Sequence, residues 1–295
     1  MTPTTPPIAE HHSNPLRSRA LAIVRRLATR PLALIGSLLV LMFLILAISG
    51  PMIAPYSFNE INREALRQPP GPGFPFGTDS LGRDVFSRVL WGAREIIVVP
   101  GVATAVAVVL GTLLGLLLGY VGGWLDDLVS RLLDTLLSIP AMLLALVMLG
   151  AIGPSAIGII LVVALLYIPI VARVVRSATL GLRTAGFIEA AKLRGESTWY
   201  ILLREILPSV LPALTVEAAL RFSYAIFLTA SLGFLGLGVQ PPSPDWGRMV
   251  NEARDSYVRA PWALWYPAGA IALLVISVNL MAEGLRIALR REGQQ

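Results

Sequence analysis

The 295-residue sequence contains no cysteine and only two histidines, His11 and His12, adjacent in a polar N-terminal stretch. It therefore has no disulfide framework and no thiolate metal site. A single His pair in such a stretch reads as a solvated tail feature and not as a metal site. Charge is scarce as well. Asp, Glu, Lys and Arg make up 14% of the chain, against about a quarter in ordinary soluble domains. No Gly-x-x-x-x-Gly-Lys-[Ser/Thr] loop occurs, so the chain does not cradle ATP phosphates. No nucleophile–base pattern stands out, and an enzyme is not expected. The net charge of +6 raises nucleic acid as a partner, but no RNA motif or zinc spacing supports it. We read the positive excess as basic loops facing anionic lipid.

What is abundant is apolar sequence: 55% of residues are hydrophobic and the mean hydropathy is +0.72. A hydrocarbon core of ~30 Å takes about 20 apolar helical residues, and the chain supplies that length repeatedly. We expect an all-α, polytopic membrane bundle of six transmembrane helices, with apolar centres near 32–48, 96–122, 132–152, 155–172, 209–232 and 261–282. Residues 135–172 are uncharged throughout and too long for one crossing, and Gly153-Pro154 is the expected break.

Six spans place both ends on one side, and Lys and Arg choose the side. With the N-terminus inside, the tail, the loop 173–207 and the C-terminus hold fourteen Lys or Arg, against eight in segments 51–95 and 238–260. The expected topology is N-in and C-in. Residues 1–30 then form a basic cytoplasmic tail and not a cleavable leader. Within it, 17–30 reads as an amphipathic helix on the membrane surface. The first span is 31–53, an external segment follows over 54–95, and five helices occupy 96–290 before a short tail at 291–295. Gly111, Gly115 and Gly119 share one face of the second span. We read that face as close packing within this chain; the alternative is close packing against a partner subunit.

The loop 173–207 contains Glu189-Ala190-Ala191-Lys192-Leu193-Arg194-Gly195, then the run from Glu196 to Ile206, and Leu207-Pro208 follows. Physically this is a short helix, a stop at Gly195, and a second helix capped by Ser197 or Thr198. Ala190 and Ala191 suggest a low-profile surface, with Phe187, Ile188 and Leu193 as apolar anchors. Such a helix suits a groove on another protein. Two other stretches are distinctive. In 76–94, Asp79 or Ser80 is the expected cap of an amphipathic helix, with Arg83 in its first turn and Asp84 and Arg88 as an i,i+4 pair. In 232–247, Gly and Pro build a rigid turn.

With this order and spacing, the three stretches resemble the C-type permease subunit of the dipeptide, oligopeptide and nickel ABC importers. The resemblance covers nearly the whole chain after about residue 30, and it is specific to the subunit type, not to the substrate. It implies the type I importer permease fold. It implies that Phe187, Glu189, Ala190, Ala191, Lys192, Arg194 and Gly195 belong to a coupling helix seated on an ATPase subunit. It also implies a homologous second permease, two ATPase subunits or domains that hold the ATP and Mg, and an extracytoplasmic binding protein. Asp79, Arg83, Asp84 and Arg88 would cap the outer mouth or touch those partners. No cofactor is expected in this chain.

The fifth span carries Glu217 and Arg221, four residues apart on one face. An ionisable pair at that depth should be paired and turned away from lipid. Either it locks helix packing or it lines the substrate path, with Arg221 attracting a carboxylate or Glu217 a cationic group. Peptide is the expected substrate, with nickel or another small solute as the alternative. A self-sufficient secondary transporter is the rival of a different class, but it requires no docking loop.

Overall fold

The computed structural model describes residues 30–290 and is helical almost throughout. The expected tail helix over 17–30 and the residues after 290 lie outside that range, apart from Arg30, which immediately precedes the first helix. The described helices are α1 (Pro31–Ile53), α2 (Val85–Val121), α3 (Gly123–Ser138), α4 (Ala141–Ile152), α5 (Ala156–Leu182), α6 (Gly186–Leu193), α7 (Thr198–Phe234), α8 (Trp246–Arg254) and α9 (Trp262–Arg290). Five of them are long and apolar enough to cross a membrane: α1, α2, α5, α7 and α9.

The expected third span is a correction. Residues 132–152 do not form one helix. Instead α3 and α4 meet at an 89° bend. The cause is local. Pro140 disfavours helical geometry at the residue before it, and Ile139 is extended at φ −84°, ψ 129°. Hydropathy does not register this break, because residues 135–152 are uncharged and largely apolar on both sides of it. The other break falls where expected: α4 stops at Gly153, and the Ser155 hydroxyl caps α5 by accepting from Gly158 N at 3.0 Å.

Close backbone approach holds the long helices together. In lipid the hydrophobic effect between helices vanishes, and packing takes over. The α2–α5 pair is the most extensive in the bundle. Gly111, Gly115 and Gly119 all face α5. A Cβ on Gly115 would lie 2.5 Å from Ala172 O, and one on Gly119 would lie 2.7 Å from Thr179 Cβ. The glycine face is thus spent inside this chain. On α1, Ala33, Gly36, Val40, Phe43, Ala47 and Gly50 turn inward at alternating spacings of three and four, while Leu32, Ile35, Leu38, Leu41, Ile45 and Ile48 are exposed.

These contacts also set direction. Gly119 near Thr179 puts the end of α2 beside the end of α5, next to α6. Gly50 lies against Leu90 at the opposite end, and Gly36 against Leu280 on α9. The start of α1 and the end of α9 therefore lie toward the α6 end of the bundle. The segment before α2, together with α8, closes the other end.

Candidate functional site

At the α6 end, a helix of eight residues is locked in place. Ile188 and Ala191 are fully buried against Leu116, Val175, Ile201 and Ile206. The helix stops in a Schellman arrangement: Glu196 N donates to Ala191 O (3.2 Å) and Gly195 N to Lys192 O (3.0 Å). Gly195 sits at φ +77°, where a side chain is strained. Ser197 then caps α7, accepting from Tyr200 N at 3.3 Å. Its next turns, Ile201–Ile206, are π-helical. That wider turn brings Ile201 and Ile206, five apart, into the same core. Arg194 clamps the two helices through Glu205 (3.2 Å) and Glu196 (3.5 Å). Lys192 reaches back over the Tyr120 ring on α2, 5.3 Å from its centroid.

The outward face mixes large apolar side chains with the charges of Glu189, Lys192 and Arg194. Leu193 is 90% exposed. Phe187, Trp199, Tyr200 and Leu203 are exposed as well, with Glu189 and Ala190 among them. Two expected features are corrected. Ile188 is not an outward anchor, and Ala191 does not contribute to an outward low-profile surface. The helix period turns both toward α2 and α7, three residues apart on one face. Of the alanine pair, only Ala190 remains outside.

At the α8 end, charges organise the cap differently from the sequence expectation. Asp84, not Asp79 or Ser80, caps the helix: its Oδ2 accepts from Ser87 N (2.8 Å) and Ser87 Oγ (2.6 Å). That bonding removes Asp84 from the expected pair with Arg88. Asp79 instead shapes the turn before α2, accepting from Leu81 N (2.9 Å) and Arg83 N (3.0 Å). Gly82 makes this turn possible at φ +79°, and a Cβ there would lie 2.0 Å from Asn62 O. Arg88 is 2% exposed and pairs with Asp79 (2.8 Å) and Glu252 (3.2 Å). Arg83 contacts the same two carboxylates, each at 2.6 Å. Glu252 also accepts from Arg248 at 3.0 Å.

The electrostatics follow. Burial opposes the charge on Glu252, but Arg88, Arg248 and Arg83 outweigh it and hold the carboxyl down at about 2. Asp245, which caps α8 by accepting from Arg248 N at 2.7 Å, is pushed up to about 6 by its burial. Trp246 and Trp262 fasten the cap to the bundle, donating to Val89 O (3.0 Å) and Thr78 O (2.9 Å).

Between the two ends, α7 carries Glu217 and Arg221 near the middle of Leu207–Phe234, at 1.5 Å per residue about 15–20 Å from Leu207 and about 20–25 Å from Phe234. Arg221 Nε lies 2.8 Å from Glu217 Oε1, and the two side chains are 16% and 13% exposed. The contact is an ion pair without hydrogen-bond alignment, since neither atom has a hydrogen-bond partner. The guanidinium also lies over two aromatic rings, Tyr224 (4.9 Å) and Tyr167 of α5 (5.8 Å). Sequence reasoning missed both tyrosines and Glu252. Tyr224 has a signal, an aromatic three residues after a membrane arginine. Tyr167 has a weaker one, a lone phenol in an apolar run. Glu252 has none, being 164 residues from Arg88.

Comparison with known proteins agrees with this architecture. The family profile described as binding-protein-dependent transport system inner membrane component matches residues 111–291. A second profile, the N-terminal TM domain of oligopeptide transport permease C, matches residues 19–70. A dipeptide transport system permease protein of Alkalihalophilus pseudofirmus is 38% identical over 265 residues, covering 90% of this chain and 87% of the relative. A glutathione transport system permease protein of Escherichia coli O157:H7 is 43% identical over 266 residues, covering 90% and 88%. A solved inward-facing structure of the MetNI methionine ABC transporter shares the fold at a TM-score of 0.50 and 20% identity, covering 67% of this chain and 95% of that one.

Proposed function

This chain belongs to the family of binding-protein-dependent transport system inner-membrane components, and on that premise we propose that it forms half of the translocation path of an ABC importer for di- or oligopeptides. One observation carries the reading. A firmly anchored helix, α6, presents Phe187 and Leu193 beside Glu189 and Lys192 on its exposed face, and nothing within the described chain covers the two large apolar side chains. ATPase subunits are the partner that face fits. The Lys and Arg excess around α6 supports a cytoplasmic setting for that end, with both termini on the same side. ATP and Mg belong to the partner ATPases. A homologous second permease completes the path, and the binding protein delivers substrate at the α8 end.

The mechanics follow from burial. Closing of the ATPases on ATP displaces α6. Ile188 and Ala191 pass that displacement to α2, α5 and α7, because packed interiors shift as units and do not deform continuously. Hydrolysis resets the bundle. This chain contributes leverage and a path, with no bond-making chemistry. The peptide assignment draws on the dipeptide and glutathione relatives, both substrates being short peptides. The test is uptake of a labelled dipeptide, and of nickel, by the reconstituted complex. The reading expects dipeptide uptake that needs ATP, the ATPases and the binding protein. Uptake without the ATPases, or of nickel alone, overturns it.

A further inference from the structure

We propose that Arg221, framed by Tyr167 and Tyr224, reads the carboxylate of the transported peptide inside the bundle. The inference rests on the peptide reading above and adds the group that recognises the cargo in this chain.

The Arg221 guanidinium is incompletely bonded. Arginine carries five N–H donors in a planar fork. Here only Nε meets a carboxylate, Glu217, and that contact lacks hydrogen-bond alignment. Among the described residues, no acceptor bonds its terminal nitrogens. Near mid-membrane, such donors are costly to leave facing lipid. Lipid tails cannot satisfy them, so this face of α7 must meet something polar. A planar carboxylate is the partner that matches the fork in two parallel bonds.

The surroundings fit a ligand more than a lock. The pair is 16% and 13% exposed, and the face it shares opens at Tyr224, 51% exposed, and at Phe227 beyond it, which leaves a way in for a ligand. The rings of Tyr167 and Tyr224 flank the guanidinium and attract it through their electron-rich faces. Tyr167 also lines a cavity of about 330 Å³ at the α3–α4 elbow, with Ser138, Pro140, Leu144 and Leu166 among its walls. That volume lies near the lower end of small-ligand sites, ~300 Å³. It suits the side chain adjoining a peptide's terminal carboxylate. Glu217 keeps the site neutral between cargoes, and an arriving carboxylate competes with it for the guanidinium.

The experiment compares a labelled dipeptide with its C-terminal amide in proteoliposomes holding the full complex. The binding protein is loaded with each peptide to measured saturation, and its stimulation of the ATPase serves as the assembly control. The variants are Arg221→Lys, Arg221→Gln and the neutral double Glu217→Gln with Arg221→Gln, which leaves no unpaired membrane charge. Loss of a charge-assisted fork predicts uptake of the acid ~10-fold lower in both Gln-containing variants, equal to about 1.4 kcal/mol. Arg221→Lys falls between. Amide uptake changes less than ~2-fold, because the amide never engaged the charge. Equal losses for acid and amide would overturn the proposal and assign Arg221 to packing or to a partner subunit's carboxylate. Unchanged uptake of both would overturn it too. A parent complex that moves neither peptide would instead overturn the peptide reading beneath it.

Discussion

Replacing Glu252 with Gln tests the charged cap most sharply. The carboxylate answers three guanidiniums, from Arg83 (2.6 Å), Arg88 (3.2 Å) and Arg248 (3.0 Å). In the variant, Arg83 and Arg88 share Asp79 alone. Arg88 is 2% exposed and cannot recruit much water in its place. The carboxyl is held at about 2 against an ordinary 4.5. A tenfold change in proton affinity corresponds to ~1.4 kcal/mol, which sets an upper bound of roughly 3 kcal/mol. Glu252 is itself 27% exposed, and solvent screening reduces the effect to about 1–2 kcal/mol. Because the pKa is depressed on folding, the stabilisation is complete above about pH 5. It fades as the pH falls toward 2. The assay is the apparent melting midpoint of the purified complex, at one scan rate, from pH 7 to pH 3. The parent should melt higher than Glu252→Gln at pH 7, and the gap should narrow on acidification. A gap that is absent at pH 7, or that stays constant to pH 3, would refute the reasoning.

Two further outcomes follow from packing and burial. Gly115→Leu drives side-chain atoms into Ala172 O, already 2.5 Å from a Cβ at that position. It should destabilise the α2–α5 pair by at least the ~1–3 kcal/mol typical of overpacking, seen as loss of folded protein in detergent extracts, whereas Gly150→Ala, with open space around it, should be tolerated. Asp245→Asn keeps the α8 cap acceptor and removes a charge whose pKa burial has raised to about 6. A carboxyl raised on folding gains stability as the pH falls from 7 toward 4. The parent's midpoint should therefore rise over that window, and the variant should lack the rise while melting at least as high at pH 8.

Much of this arrangement was readable from hydropathy and helix chemistry. Spans α1, α2, α5 and α9 follow from long uncharged runs, α7 from an apolar run interrupted only by Glu217 and Arg221, and the stop at Gly195 with the cap at Ser197 from residue type. The missing parts share a cause. The α3–α4 elbow depends on one proline inside an apolar stretch, where hydropathy is blind. The start of α2 depended on choosing between Asp79 and Asp84, both able to cap. Tertiary bonding to Arg83 and Arg88 occupies Asp79 and leaves Asp84 the role. Which alanine of the 190–191 pair faces outward depends on the rotation of α6, and Ile188 sets that from the core. The Arg88–Glu252 contact joins distant segments and leaves no local pattern.

As proposed, α6 is the joint with the ATPase. Because the chain has no cysteine, a single thiol can probe it. Leu193→Cys places that thiol at the exposed tip of α6, and Val258→Cys places one at the exposed opposite end. A short thiol-to-amine cross-linker is applied to each purified complex. The account predicts a covalent adduct with the ATPase chain from position 193 and none from 258, with ATP-driven uptake lost on cross-linking at 193. An adduct from 258 and not from 193, or uptake unchanged after cross-linking at 193, would contradict it.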